Sequence, residues 1–171
     1  MRIELYLVDA MEVASFGPVC LALRSRGVAA RIGAGPDDAH AGDPGWFDHA
    51  NAVRLLRAAD LPFVETPDWE SGLAVTTQRP WVLRHYRCRK ARTMYAVGFY
   101  AMDGFQADRI RGFDAIFAVG EHARRALAQH LDPSRVFVTG YPKYDDFFRR
   151  PPDAAAIRTR RAAVRAPIRR G

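Results

Sequence analysis

Asp114-Ala115-Ile116-Phe117-Ala118-Val119-Gly120, then Glu121 to Leu131, then Arg135-Val136-Phe137-Val138-Thr139-Gly140: this stretch sets the class of fold. A short apolar run stops at a glycine, a segment of helical spacing follows, and a second apolar run stops at another glycine. Runs this short suit strands buried on both faces, and the span between them suits a covering helix. Two such strands joined through a helix are parallel, because only a long crossover brings the chain back to start in the same direction.

The same alternation extends in both directions. Ile3 to Val8 reads as a first strand. Gly17-Pro18 opens a helix from Val19 to Arg26, with Gly27 as its stop. Val28 to Ile32 is a second strand, and a Gly/Pro/Asp-rich loop from Gly33 to Gly45 leads to a helix from about Trp46 to Ala59. Leu61 to Val64 is a strand weakened by Pro62, and Leu73 to Thr76 another. A helical segment through Trp81, Val82 and Tyr86 follows, then a strand from Thr93 to Val97 that stops at Gly98. The expected fold is α/β, a Rossmann-like, mostly parallel sheet of about six or seven strands with helices on both faces.

A chain of 171 residues suits one domain with a sizeable core. Residues 1–148 carry the alternation, whereas 149–171 are rich in Arg, Ala and Pro and hold few large apolar side chains, so disorder or a loosely held helix is expected there. That tail has eight arginines against one acid, Asp153, and so accounts for the whole net charge of +7. With the basic charge outside the fold and no aromatics interleaved, specific nucleic-acid binding is not expected. Contact of the tail with an anionic membrane surface is the weaker alternative.

Cys20 and Cys88 form no CxxC pair and have no histidine at ligand spacing, so neither a disulfide nor a metal site is expected. No apolar run is long enough to cross a membrane, and Met1 to Asp9 lacks the apolar stretch of a signal peptide. The expected location is the cytoplasm, at most peripheral to the inner face of the membrane.

Ligands of open parallel sheets bind beyond the carboxyl ends of the strands. Four such ends stand out. From Asp9 to Pro18, small and turn-forming residues, Ser15 and Gly17 among them, would let a backbone approach an anion or a sugar hydroxyl; a plain strand-to-helix turn explains them as well. Gly98 and Tyr100 follow the strand ending at Val97, where an aromatic surface could hold a flat ligand or simply pack on the next helix. Gly120, Glu121 and His122 open a helix. Glu121 suits the helix dipole there without any ligand, and His122 is the single weak candidate for acid/base chemistry. Gly140, Tyr141, Lys143 and Asp145 form a turn after the last strand, with Pro142 shaping it.

The run Thr139-Gly140-Tyr141-Pro142-Lys143-Tyr144-Asp145 resembles an element of the CDP-glycerol glycerophosphotransferase family, and more loosely one of UDP-N-acetylglucosamine 2-epimerase-like proteins. Three upstream stretches are similar to the segments that precede it: Asp114 to Gly120, Leu73 to Gln78, and the opening Ile3 to Gly27. The resemblance implies the GT-B architecture, two Rossmann-like domains facing a cleft, of which residues 3–148 would be the N-terminal, acceptor-side half. It further implies transfer of a glycerol-phosphate or sugar unit from a nucleotide-activated donor to a hydroxyl, with no cofactor or metal. The family's transferases carry a His-Gly pair where this sequence has Val97-Gly98, and valine cannot act as a base. Donor binding and turnover are therefore expected only with a second domain. The alternative is a binding module of the same fold without catalysis.

Overall fold

The computed structural model describes residues 1–34, 49–67, 70–77, 80–93 and 110–144. Val97, Gly98, Tyr100, Asp145 and the tail from 149 to 171 lie outside them. Seven strands form one sheet: β1 (Arg2–Leu7), β2 (Ala29–Ala34), β3 (Phe63–Val64), β4 (Leu73–Thr76), β5 (Arg89–Thr93), β6 (Ala115–Ala118) and β7 (Val136–Val138). Every pairing is parallel, in the order β3-β2-β1-β4-β5-β6-β7. The chain begins at β1, winds outward through β2 to β3, returns to β4 on the other side of β1, and winds outward again. Right-handed crossovers then put the connections of the two halves on opposite faces.

The buried side chains divide that way. One cluster gathers Ile3, Leu5 and Leu7 of β1 with Phe16 and Cys20 of α1 (Val13–Ser25) and with Ala52, Val53 and Leu56 of α2 (His49–Ala58). The other gathers Tyr6 and Val8 with Val82, Leu83, Tyr86, Ile110 and Phe113, and with Ala123 and Leu127 of α3 (Glu121–Leu127). Alternate residues of β1 thus feed two cores, as a strand covered on both faces must.

Several expected boundaries move. Helix α1 starts at Val13, not at Pro18, and follows a 3-10 turn over Ala10–Glu12. Asp9 accepts from the Met11 amide at 2.9 Å while Glu12 accepts from the Asp9 amide at 3.0 Å, a reciprocal cap that begins the helical segment early. Pro18 sits inside α1, at the cost of one backbone hydrogen bond. At the other end Gly27, at φ +75°, lets its own amide bond Arg24 O and the Val28 amide bond Leu23 O, the glycine stop that the sequence suggests.

Strand β5 covers Arg89–Thr93, upstream of the expected Thr93 to Val97, of which residues 94–97 lie outside the described residues. Its three basic residues mask it in the sequence; in the fold Ala91 and Arg92 are both buried, Arg92 at 6% exposure. The segment through Trp81 and Val82 is a single 3-10 turn, Pro80–Leu83. Strand β3, at the sheet edge, has only two residues, in keeping with Pro62 before it.

Candidate functional site

The order reverses between β1 and β4, so the crevice beyond their carboxyl ends is where an open parallel sheet most readily takes a ligand. Glu12 follows β1 and Thr77 follows β4, and the Thr77 hydroxyl donates to Glu12 Oε1. The other carboxylate oxygen, Oε2, accepts from the amides of Val8, at 2.6 Å, and Asp9, at 3.0 Å. From β5, Arg92 Nε donates to Thr77 O at 3.0 Å. Glu12, Thr77 and Arg92 are all buried. Charge-assisted bonds of this kind hold their partners in fixed geometry, so the ends of three central strands are tied into one rigid edge.

Beside this network lies a cavity of about 210 Å³ between α1 and the sheet. Its lining is ordered along the strands. Ile3 and Leu73, toward the amino ends of β1 and β4, and Leu23, late in α1, mark one extreme. At the other extreme Ser15, Thr77, Thr93, Thr139 and Tyr141 border it at the carboxyl edge, and its surface is almost wholly apolar. Leu5, Phe16, Val19, Val75 and Phe117 form the walls between. Among the described residues the lining has no charged side chain. Phe117 also stands beside its ladder partner Phe137, 6.3 Å between ring centres, and Phe137 is half exposed.

Of the residues expected to form a site, Ser15 and Tyr141 meet in this cavity. Gly140 holds φ +80°, where a side chain would be strained, and so lets β7 turn into the short Pro142–Tyr144 helix that packs on α1. In that turn Tyr141 packs edge-on against Tyr144 and Lys143 is exposed. Gly17 lies in α1 with its Cα facing Leu61, where a Cβ would come within 2.9 Å of a methyl group; its smallness serves helix packing.

Gly120, Glu121 and His122 share the carboxyl edge but belong to the α3 side, on the face opposite the cavity. Glu121 is engaged by Arg124 one turn later, with Nε–O distances of 2.9 and 3.0 Å, and that hydrogen bond holds its carboxyl below the ordinary range. His122 is exposed. Burial pushes the thiols of Cys20 and Cys88 up, so both are neutral. Among the described residues no group of three His, Cys, Asp or Glu could hold a metal ion, and no helix is long and apolar enough to cross a membrane.

Glu12, Thr77, Arg92 and Thr93 were not singled out from the sequence. For Glu12 a signal existed, since Asp9-x-x-Glu12 has capping-box spacing. Thr77 follows β4 while Arg92 and Thr93 belong to β5, and nothing local marks them.

Among solved structures the fold matches a Listeria monocytogenes protein described as a UDP-N-acetylglucosamine 2-epimerase, with a TM-score of 0.60 at 12% identity. The match covers 86% of this chain and 46% of that one. The domain is GT-B-like. No family model and no curated protein matches the sequence. This GT-B-like domain therefore spans about half the length of its structural neighbour, and at that identity the likeness speaks for fold alone.

Proposed function

We propose that this chain is the N-terminal, acceptor-side domain of a GT-B-type transferase of the glycerophosphotransferase or glycosyltransferase kind. The observation that carries the reading is the switch-point edge between β1 and β4. There a rigid Glu12–Thr77–Arg92 network borders a cavity that also receives Ser15 and the Tyr141 turn. Such an edge can hold the hydroxyl-bearing acceptor, while helix dipoles and basic groups of a second domain would take the donor's phosphates. Acceptor and donor must be held at near-attack distance, so the domain alone should not turn over.

The test is calorimetric titration of the chain with CDP-glycerol and UDP-sugars, alone and joined to a GT-B donor domain. The chain alone should bind these donors no more tightly than millimolar and transfer nothing, and the joined protein should transfer. Micromolar donor binding by the chain alone, or turnover abolished by His122→Ala, would overturn the half-enzyme reading. The second reading, a binding module without catalysis, is favoured by Val97 at the position of the family's histidine. It predicts acceptor binding with no transfer even in the joined protein. Contact of the Arg-rich tail with anionic membranes stays a separate, weaker proposal, read by sedimentation with acidic vesicles.

A further inference from the structure

We infer that the amino edge of the sheet is a docking surface for an anionic membrane, a plane of acidic phospholipid headgroups. It is separate from the carboxyl edge that carries the candidate site and from the Arg-rich tail.

The first observation is unbalanced charge. Helix α1 runs back from the carboxyl end of β1, so its last turn, with exposed Arg24 and Arg26, lies at the amino edge beside the start of β2. Exposed Arg87 leads into β5, which opens with exposed Arg89 and half-buried Lys90. Among the described residues none of these five forms an ion pair with an acid. The side chains of Arg24 and Arg26 donate to the carbonyls of Ala30, at 3.2 Å, and Ala22, at 2.9 Å, which leaves their charge intact. At the same edge Arg2, Arg84, Arg111 and Arg135 are matched in number by Asp60, Glu70, Asp114 and Asp132, so the five set its sign.

The second observation is shape. Strands β2 and β5 stand three strand spacings apart in the sheet, about 14 Å. The cations thus follow a row of strand starts, which suits a plane of opposite charge. The third concerns the rings beside that row. Tyr86 and Phe113, which flank Arg87 and Arg111, are buried, so neither offers a surface on which a nucleic-acid base could stack. Lipid headgroups need no such platform, since they diffuse within the bilayer to meet fixed point charges, and each arginine near them strengthens binding about fivefold.

Contact through the amino edge turns the carboxyl edge away from the bilayer, so the crevice between β1 and β4 would meet its ligands from solution. The inference does not depend on the transferase reading.

The experiment is cosedimentation of the full chain with vesicles of phosphatidylcholine alone or mixed with an equal share of phosphatidylglycerol. The eight arginines after Phe148 are changed to glutamine throughout, so that the tail contributes no charge. This chain should bind the acidic vesicles and not the neutral ones, and release them at about 0.5 M salt. Arg87→Gln combined with Arg89→Gln should weaken binding about 25-fold, two losses of about fivefold each. Lys143→Gln, at the carboxyl edge, should change it less than about twofold. Urea transitions check that each variant folds. No binding once the tail is neutral, equal binding to neutral vesicles, or a Lys143→Gln effect as large as that of the Arg87 and Arg89 pair would each overturn the assignment. So would a DNA duplex or single strand that displaces the chain from acidic vesicles at equal phosphate concentration, because the edge would then belong to nucleic acid.

Discussion

Glu4 and Glu12 are both buried acids within the first dozen residues, one in the middle of β1 and the other just past its end. Glu4, at 0% exposure, takes Arg31 of the neighbouring strand in an ion pair at 2.9 Å and accepts from the Tyr86 hydroxyl. Its partners are side chains, and they bind β1 to β2 and to the turn beneath the opposite face. Glu12 takes two backbone amides and the hydroxyl of Thr77, so it governs the path of two loops. A buried carboxylate whose partners are side chains clamps elements already in register. One whose partners are backbone amides shapes the chain where regular structure has ended, which is where a ligand meets an open sheet. The first acid is a fastening of the fold, and the second is part of the site.

The sharpest break of that contrast is Glu4→Ala. It removes the acceptor of the Tyr86 hydroxyl and the ion pair with Arg31, and should cost about 3 kcal/mol, at the low end for a broken buried pair because Arg31 reaches solvent. Urea denaturation measures the cost. A cost smaller than that of Glu12→Ala would reverse the roles given to the two acids.

Glu12→Ala should cost somewhat less, about 2 kcal/mol, by removing a cap and stranding the buried Val8 amide. Glu12→Gln should recover most of that loss, because its oxygen can accept from the amides and its nitrogen can donate to Thr77. Parallel urea denaturation of the two variants checks this.

Gly33→Ala sharpens the account of Glu4. A Cβ there would lie 2.6 Å from Glu4 Oε1, so the carboxylate must shift, and the substitution should cost about 1–2 kcal/mol in the wild-type chain. In a Glu4→Ala background that cost should largely vanish, and a double-mutant cycle on urea midpoints would show the coupling. Additive costs would mean that Gly33 is tight for some other reason.

Tyr86→Phe has the smallest effect at neutral pH, about 1 kcal/mol for one hydrogen bond. Burial first, and then the hydrogen bond from its hydroxyl to Glu4, push the Tyr86 phenol well above its ordinary value of 10.0. The folded state thus keeps a proton that the unfolded chain sheds above that pH. Stability from this group is complete below the ordinary value and falls above it by about 1.4 kcal/mol per pH unit. Urea midpoints across the alkaline range should decline less steeply for Tyr86→Phe than for the wild type.

The order of strand and helix was legible because each strand needs a short apolar run and each covering helix a 3.6-residue spacing. Ile3 to Val8, Leu73 to Thr76 and Asp114 to Val119 carry that pattern without help from the rest of the chain. The turns at Gly27 and Gly140 were legible too, since a positive φ selects glycine locally. Strand β5 was not, because Arg89, Lys90 and Arg92 disguise a strand whose buried Arg92 is held by Thr77 O, distant in sequence. Nor could the sequence say that Gly17 makes room for Leu61, that Glu12 would meet Thr77, or that Ser15, Thr77, Thr93 and Tyr141 would border one cavity. Periodicity and turn chemistry are properties of neighbouring residues, so the sequence by itself determined most of the elements and their parallel direction. Pairings across the sheet join residues dozens of positions apart, and only the tertiary structure, by setting strand order and register, decided which polar groups would be buried together and what space would remain beside them.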